Sequence, residues 1–385
     1  MIIKNTEYYG ADCKFHYGDI AVAGGVFAES DDSGEVLDGS GCYAIPGLID
    51  IHLHGAAGAD VCDAEIGAFE KIAEYEIGNG VTSFCPATLT LAVPTLENVL
   101  KTGAGFAALR RENMSELVGF NMEGPFISHK RKGSQNGNYI IPCDAELVDK
   151  FVEWSDGLVK IVGLAPEEDP GFEGFIKTVS GKVKVSLAHT DADYDMAVMA
   201  FRAGASHVTH LYNAMTGLHH RAPGVVGAAA DCENVTAELI CDGVHVHPSA
   251  VRAAFRLFGA ERIVFVSDSL RCTGMADGVY DLGGQNVGKT GNLCTLVSDG
   301  NIAGSASDLY TCFRNAVQTM GIPLETAVRC VTTNPARCIG VDDRKGTIRK
   351  GNDADLVLLD KQSLTLKAVI KNGKTIKGVQ RRSMK

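Results

Sequence analysis

Apolar and polar positions along the 385-residue chain fall into a repeated unit. A short, nearly continuous apolar run ends in polar or charged residues, and a stretch with helical periodicity usually follows. The runs cover residues 48–54, 81–86, 117–123, 158–164, 183–189, 207–210, 236–242 and 263–268. Continuous apolar runs suit strands buried on both faces, and strands alternating with helices require a parallel sheet. Eight such units over roughly 220 residues predict a (β/α)8 barrel of the TIM type. The helical stretches carry their own stop signals. One is expected over 64–77, capped by Asp63 and stopped by Gly78-Asn79-Gly80. Two more are expected over 193–203 and 248–258, closed by Gly204 and Gly259.

The ends of the chain have a different texture. Short strand-like pieces separated by glycines and acidic residues occupy 20–23, 35–38 and 43–47, then 345–348, 354–360 and 366–370. Asn372-Gly373 follows as a hairpin signal. These pieces predict a small β-sandwich domain built from both termini, residues 1–47 with 345–385, flanking a barrel of residues 48–344.

Composition narrows the function. The chain is 45% hydrophobic with a formal net charge of −11, which argues against a general binder of nucleic acid or of anionic membranes. No apolar run reaches membrane-spanning length, and residues 1–7 lack the apolar segment of a signal peptide. Twelve cysteines without a Cys-x-x-Cys pair suit reduced, mostly buried thiols, and a cytoplasmic protein is expected.

Candidate chemistry collects where a barrel places it, at the carboxyl ends of the strands. His52 and His54 close the first run, Glu123 the third, His189 the fifth and His210 the sixth. Asp242 and His245 follow the seventh, and Asp268 closes the eighth. Imidazoles and a carboxylate converging with an open position match a catalytic divalent-metal site, with Glu123 able to bind one ion or bridge two. Asp268 is placed to take a proton from water and return it to a leaving group. His207 is offset from His210 and reads as structural, and His219, His220 and His247 read as surface or supporting residues. Asn213 and Arg221 lie in glycine-rich loops suited to sugar or phosphate oxygens. The basic loop 129–133 reads as mostly solvated.

Together these residues resemble the amidohydrolase superfamily. That likeness rests on Pro46-Gly47-Leu48-Ile49-Asp50-Ile51-His52-Leu53-His54, on His189, His210 and Asp268, and on the closing Lys345-Gly346-Thr347-Ile348 and Asp353-Ala354-Asp355-Leu356-Val357. Within the superfamily the chain is similar to the N-acetylglucosamine-6-phosphate deacetylases, through Met122-Glu123-Gly124-Pro125-Phe126, His210-Leu211-Tyr212-Asn213-Ala214-Met215, Arg221-Ala222-Pro223-Gly224, Asp242-Gly243-Val244-His245 and Ile302-Ala303-Gly304-Ser305. The resemblance implies a metal-dependent deacetylase of amino-sugar catabolism, with zinc or iron in one or two positions. Glu123, His189 and His210 would hold the principal ion, and His52 and His54, sharing Glu123, a second. Asp268 would be general base and then general acid. Ser134, Gln135, Asn213, Ala214, Arg221, His245, Ile302, Ala303 and Gly304 would bind a phosphorylated amino sugar, Arg221 from the neighbouring subunit of a homodimer. Gln135 stands where many relatives carry a histidine that polarises the acetyl carbonyl; glutamine can donate a hydrogen bond there but not a cationic one. The rival readings are the galactosamine isomer as substrate, a cyclic-amide hydrolase or adenine deaminase, and a non-catalytic sugar-phosphate sensor.

Overall fold

The computed structural model describes residues 1–31 and 34–376, so the last stretch of the expected terminal domain, 377–385, lies outside the described residues. Its centre is a parallel barrel. The strands are β1 (Leu48–Asp50), β2 (Val81–Phe84), β3 (Phe120–Phe126), β4 (Val159–Leu164), β5 (Lys184–Leu187), β6 (His207–Val208), β7 (Thr236–Ile240) and β8 (Ile263–Val266). β3 to β8 pair in chain order, all parallel, and β1 pairs with β2. The two arcs meet where Val118 N–H donates to Phe84 O and Asn121 N–H to Pro86 O, both at 2.9 Å. The ring closes where Asp268 N–H donates to His52 O at 2.9 Å.

The strands are apolar on both faces because both are covered. Outward residues such as Phe84, Phe120 and Phe265 join a core shared with the helices. Ile49, Cys85, Ile161, Ile240 and Val264 form a separate cluster drawn from strands around the ring, with Ala336 and Ile339 beside them. That cluster packs inside the barrel, below the polar strand ends.

The helices Tyr194–Ala203 and Pro248–Phe258 follow the expected patterning, the first with Asp193 accepting from Met196 N–H. The first helix departs from expectation. It spans Ile66–Gly78, and Asp63 does not cap it. Asp63 instead closes a short turn, Val61–Asp63, in a reciprocal capping box with Asp60, after which Ala64 turns left-handed. The two acids satisfy each other's amides, so the helix must start later.

Both chain ends share one eight-stranded sheet. In it Leu356–Asp360 lies between Cys42–Pro46 and Leu366–Lys371, and Asn372-Gly373 turns the last hairpin as expected. A feature without an apolar signature of its own lies between β8 and the helix Leu309–Gln318. Three antiparallel strands, Gly278–Leu282, Gln285–Thr290 and Leu293–Leu296, form a flap. Leu282, Val287, Cys294 and Leu296 anchor it on Leu89 and Leu270 at the barrel rim. Among the described residues no helix is long and apolar enough to cross a membrane.

Candidate metal centre and cavity

The strand ends bring six expected side chains together. β1 stops at Asp50, and His52 and His54 continue it as irregular backbone; their rings still lie 5.5 Å apart, centroid to centroid. Glu123 sits inside β3 just before Gly124. His189, His210 and Asp268 lie a residue or two beyond the ends of β5, β6 and β8. All six are buried. The last three have φ of 44°, 31° and 50°, left-handed values that non-glycine residues seldom adopt. Such backbone strain turns each side chain over the barrel mouth, and it concentrates at functional sites.

Two donor groups result. Glu123, His189 and His210 form one; His52, His54 and Asp268 form the other. Glu123 lies between them. Its Oε1 is 3.1 Å from His189 Nε2, 2.9 Å from His210 Nε2 and 3.4 Å from His52 Nε2, while its Oε2 is 3.3 Å from His54 Nε2. Asp268 Oδ1 stands 3.3 Å from His54 Nε2 and 3.7 Å from His52 Nε2.

The outer nitrogens explain why a cation fits. His54 Nδ1–H donates to Ala87 O (3.1 Å), His189 Nδ1–H to Arg131 O (2.9 Å) and His210 Nδ1–H to Asn213 O (3.1 Å). In the neutral rings every Nε2 then carries a lone pair, and all of them point inward. His189 Nε2 and His210 Nε2 face one another at 3.2 Å, and the buried His52 Nε2 has no hydrogen-bond partner among the described residues. Lone pairs and carboxylates converging without hydrogens between them repel unless a positive charge joins them. The electrostatics agree: burial disfavours the charged form of His54, but Asp268 and Glu123 override it and lift its pKa to about 10. Burial likewise raises the Glu123 and Asp268 carboxyls, yet the surrounding imidazoles hold both below the ordinary range. The site is built to hold positive charge, and its nitrogen and oxygen donors suit a divalent metal ion.

A cavity of ≈ 490 Å³ opens over this centre, of a size that suits a small-molecule ligand. Of the expected substrate residues, Ser134, Gln135, Asn213, Ala214, His245, Ile302 and Gly304 line it. Ala303 and Arg221 do not. Ala303 is buried against the flap, where its N–H donates to Cys294 O, and Arg221 is exposed on its loop. Gln135 is locked at the cavity floor: its Nε2 donates to Glu123 Oε2 (2.7 Å) and its Oε1 accepts from Thr90 N–H (2.7 Å). Asp242 Oδ2 accepts from His245 Nδ1–H (2.7 Å); burial opposes the imidazolium, but the carboxylate prevails and raises the His245 pKa.

Other functional residues were not anticipated. Gln285 of the flap donates to Ser134 O, tying the flap to the loop over the cavity. The basic loop lines the mouth of the cavity while His129 and Lys130 stay exposed, as expected. Lys130 and Arg131 pair with Asp191 and His129 with Glu168, while Lys132 makes no ion pair with any described residue. Glu238, a carboxylate in the middle of β7, lies behind His52. A charged residue inside a run otherwise fit for full burial was the available signal for it.

The family model described as "Amidohydrolase family" matches residues 43–380. The chain belongs to the amidohydrolase family. Among its relatives, this amidohydrolase is 39% identical over 317 residues to an N-acetylglucosamine-6-phosphate deacetylase of Bacillus subtilis, covering 82% of this chain and 80% of the other. It is 34% identical over 315 residues to an N-acetylgalactosamine-6-phosphate deacetylase of Escherichia coli O157:H7, covering 82% and 83%. Its fold superposes, with a TM-score of 0.90 and 28% identity, on a Mycobacterium smegmatis N-acetyl-D-glucosamine-6-phosphate deacetylase solved with N-acetyl-D-glucosamine-6-phosphate, covering 98% and 99% of the two chains.

Proposed function

We propose that this amidohydrolase removes the acetyl group of N-acetylglucosamine 6-phosphate, giving glucosamine 6-phosphate and acetate. The observation that carries the reading is the pair of adjacent donor groups, with Glu123 of one beside the imidazoles of the other and Asp268 also lining the cavity. We assign Glu123, His189 and His210 to one divalent ion and His52, His54 and Asp268 to a second, zinc or iron in either place. Held there, such an ion supplies positive charge that acidifies water and polarises a carbonyl oxygen.

The chain's own residues do the rest. Asp268 is ionised near neutral pH, so it accepts the proton of the attacking water and then delivers it to the departing amine. Gln135 holds Glu123 in place and keeps one further N–H of its amide for the carbonyl oxygen. Asn213, Ala214 and the imidazolium-prone His245 receive the phosphorylated sugar, and Lys132 adds a cation with no competing carboxylate among the described residues. The exposed Arg221 serves the cavity of a second subunit in a homodimer. Twelve free cysteines support a reducing compartment, the cytoplasm, as its location.

The test is acetate release by metal-loaded protein from N-acetylglucosamine 6-phosphate, from its galacto isomer and from unphosphorylated N-acetylglucosamine, with elemental analysis of the same sample. Turnover of the gluco phosphate, with kcat/KM lower by tenfold or more for each of the others, is expected. Preference for the galacto isomer would move the substrate one hydroxyl, and no acetate from any of them would overturn the reading.

A further inference from the structure

Glu238 is fully buried in β7, and each of its carboxylate oxygens is used. Oε2 accepts from His52 Nδ1–H at 2.8 Å and from the His210 N–H at 3.0 Å, and Oε1 stands 3.0 Å from His207 Nε2. His207 is in turn braced, with Thr236 Oγ1 2.7 Å and Cys338 Sγ 3.6 Å from its Nδ1. Neither Glu238 nor His207 lines the cavity, so neither can touch substrate.

His52 is thereby set apart from the other imidazoles of the centre. His54, His189 and His210 each rest their outer nitrogen on a neutral backbone carbonyl. His52 rests its outer nitrogen on an anion. A carboxylate behind an imidazole fixes the tautomer and the ring plane and makes the far nitrogen a stronger donor. That far nitrogen is His52 Nε2, buried and without a hydrogen-bond partner among the described residues. A buried carboxylate is costly unless its partners are well placed, and here the partners are one ligand's ring and another ligand's backbone.

We propose that Glu238 is the positioning residue for the ion assigned to His52, His54 and Asp268. Through the His210 amide it also registers that ion against the one assigned to Glu123, His189 and His210, and His207 is the strut that keeps Glu238 aimed. The inference rests on the two-ion reading above. Without the carboxylate, the His52 Nδ1–H has at best a neutral amide oxygen as acceptor, or faces an amide N–H if the glutamine turns over, and the ring is freer to turn or change tautomer, presenting N–H where a lone pair is needed.

The experiment compares wild type with Glu238→Gln, Glu238→Asp and His207→Gln. Each is stripped, reloaded with Zn2+ and dialysed; zinc per chain is measured by elemental analysis, and each affinity by titration against a chelator. Wild type should hold two equivalents. Glu238→Gln should keep one tight equivalent and bind the other about 10- to 100-fold more weakly. Glu238→Asp, which keeps the charge but falls short of His52, should lie between, and His207→Gln should weaken the same equivalent by a smaller factor. Two equivalents at wild-type affinity in a folded Glu238 variant would overturn the proposal. Should the glutamine variant not fold, the aspartate variant decides in the same way. A single equivalent in wild type would overturn the two-ion reading itself, and the role of Glu238 with it.

Discussion

Asp268 stands on left-handed backbone, with φ of 50°, which decides how its role can be tested. Asparagine tolerates that conformation about as well as aspartate, whereas alanine would add backbone strain to the loss of the carboxylate. Asp268→Asn is therefore the clean variant. It should melt within a few degrees of wild type and keep at least the ion assigned to Glu123, His189 and His210. Acetate release should fall by about 10²- to 10⁴-fold, the usual contribution of a positioned acid–base group. A kcat within tenfold of wild type would remove Asp268 from the chemistry. The residues gathered at the centre were legible because each ends an apolar run, the one place where a barrel exposes polar groups to a shared cavity. Glu238 was not, because it sits inside its run, where position gives no hint that two ligands converge on it. Ala303 shows the converse limit. A motif names residues, but whether a side chain reaches the cavity of its own chain depends on loop paths that no local pattern encodes.

At the level of elements, Gly124 is what lets β3 carry Glu123 into the centre and then leave it. It has φ of +109°, and a Cβ there would stand 2.1 Å from Thr90 Oγ1. Thr90 cannot yield easily: its N–H holds Gln135 Oε1 and its hydroxyl donates to Glu123 O. Gly124→Ala should therefore cost about 1–3 kcal/mol from backbone strain alone, plus the clash. The loss should appear as a lower melting temperature together with weaker metal retention, because Thr90, Gln135 and Glu123 move together. Adding Thr90→Ala should recover part of the stability but not the strain. A single variant that melts with wild type would show that β3 does not need this turn. Barrel strands could be read from sequence since full burial forces continuous apolar runs. The flap over 278–296 could not, because few of its strand residues are buried and their glycines and polar residues read as loop. The misplaced cap at Asp63 has a similar cause: Asp60 and Asp63 both carry the capping signal, and only their pairing with each other shows which turn they start.

At the scale of the whole molecule, the barrel and the terminal sheet are joined by a partly buried ion network. Glu116, in the short strand Glu116–Leu117 beside β2, meets Arg344, Lys345 and Lys371, while Asp355 of the terminal segment meets both lysines. The three acids Glu116, Asp353 and Asp355 lie close enough to suggest a metal site, but the lysine ammonium groups already occupy their midst. Burial raises the Glu116 and Asp355 carboxyls, yet the lysine charges outweigh it and hold both below the ordinary carboxylate range. The sign of the linkage follows. A carboxyl whose folded pKa is depressed adds stability that is complete above its unfolded value, about 4. That stability is lost as pH falls from there through the folded pKa. The network should thus leave melting unaffected between about pH 5 and 7 and weaken the fold below about pH 4. Glu116→Gln isolates the effect. It leaves two buried lysines short of a counter-charge, at a cost of about 1–3 kcal/mol at pH 7. The lower end is expected because the Glu116 side chain keeps 35% of its exposure and solvent screens it. Melting curves of wild type and variant should therefore be separated by a few degrees at pH 7 and draw closer as pH falls toward 3, since acid begins to remove from wild type what the substitution has already taken. Other titrating groups are common to both proteins and cancel in the difference. A separation that stays constant from pH 7 to pH 3 would mean that packing, and not charge, is what Glu116 contributes to the junction.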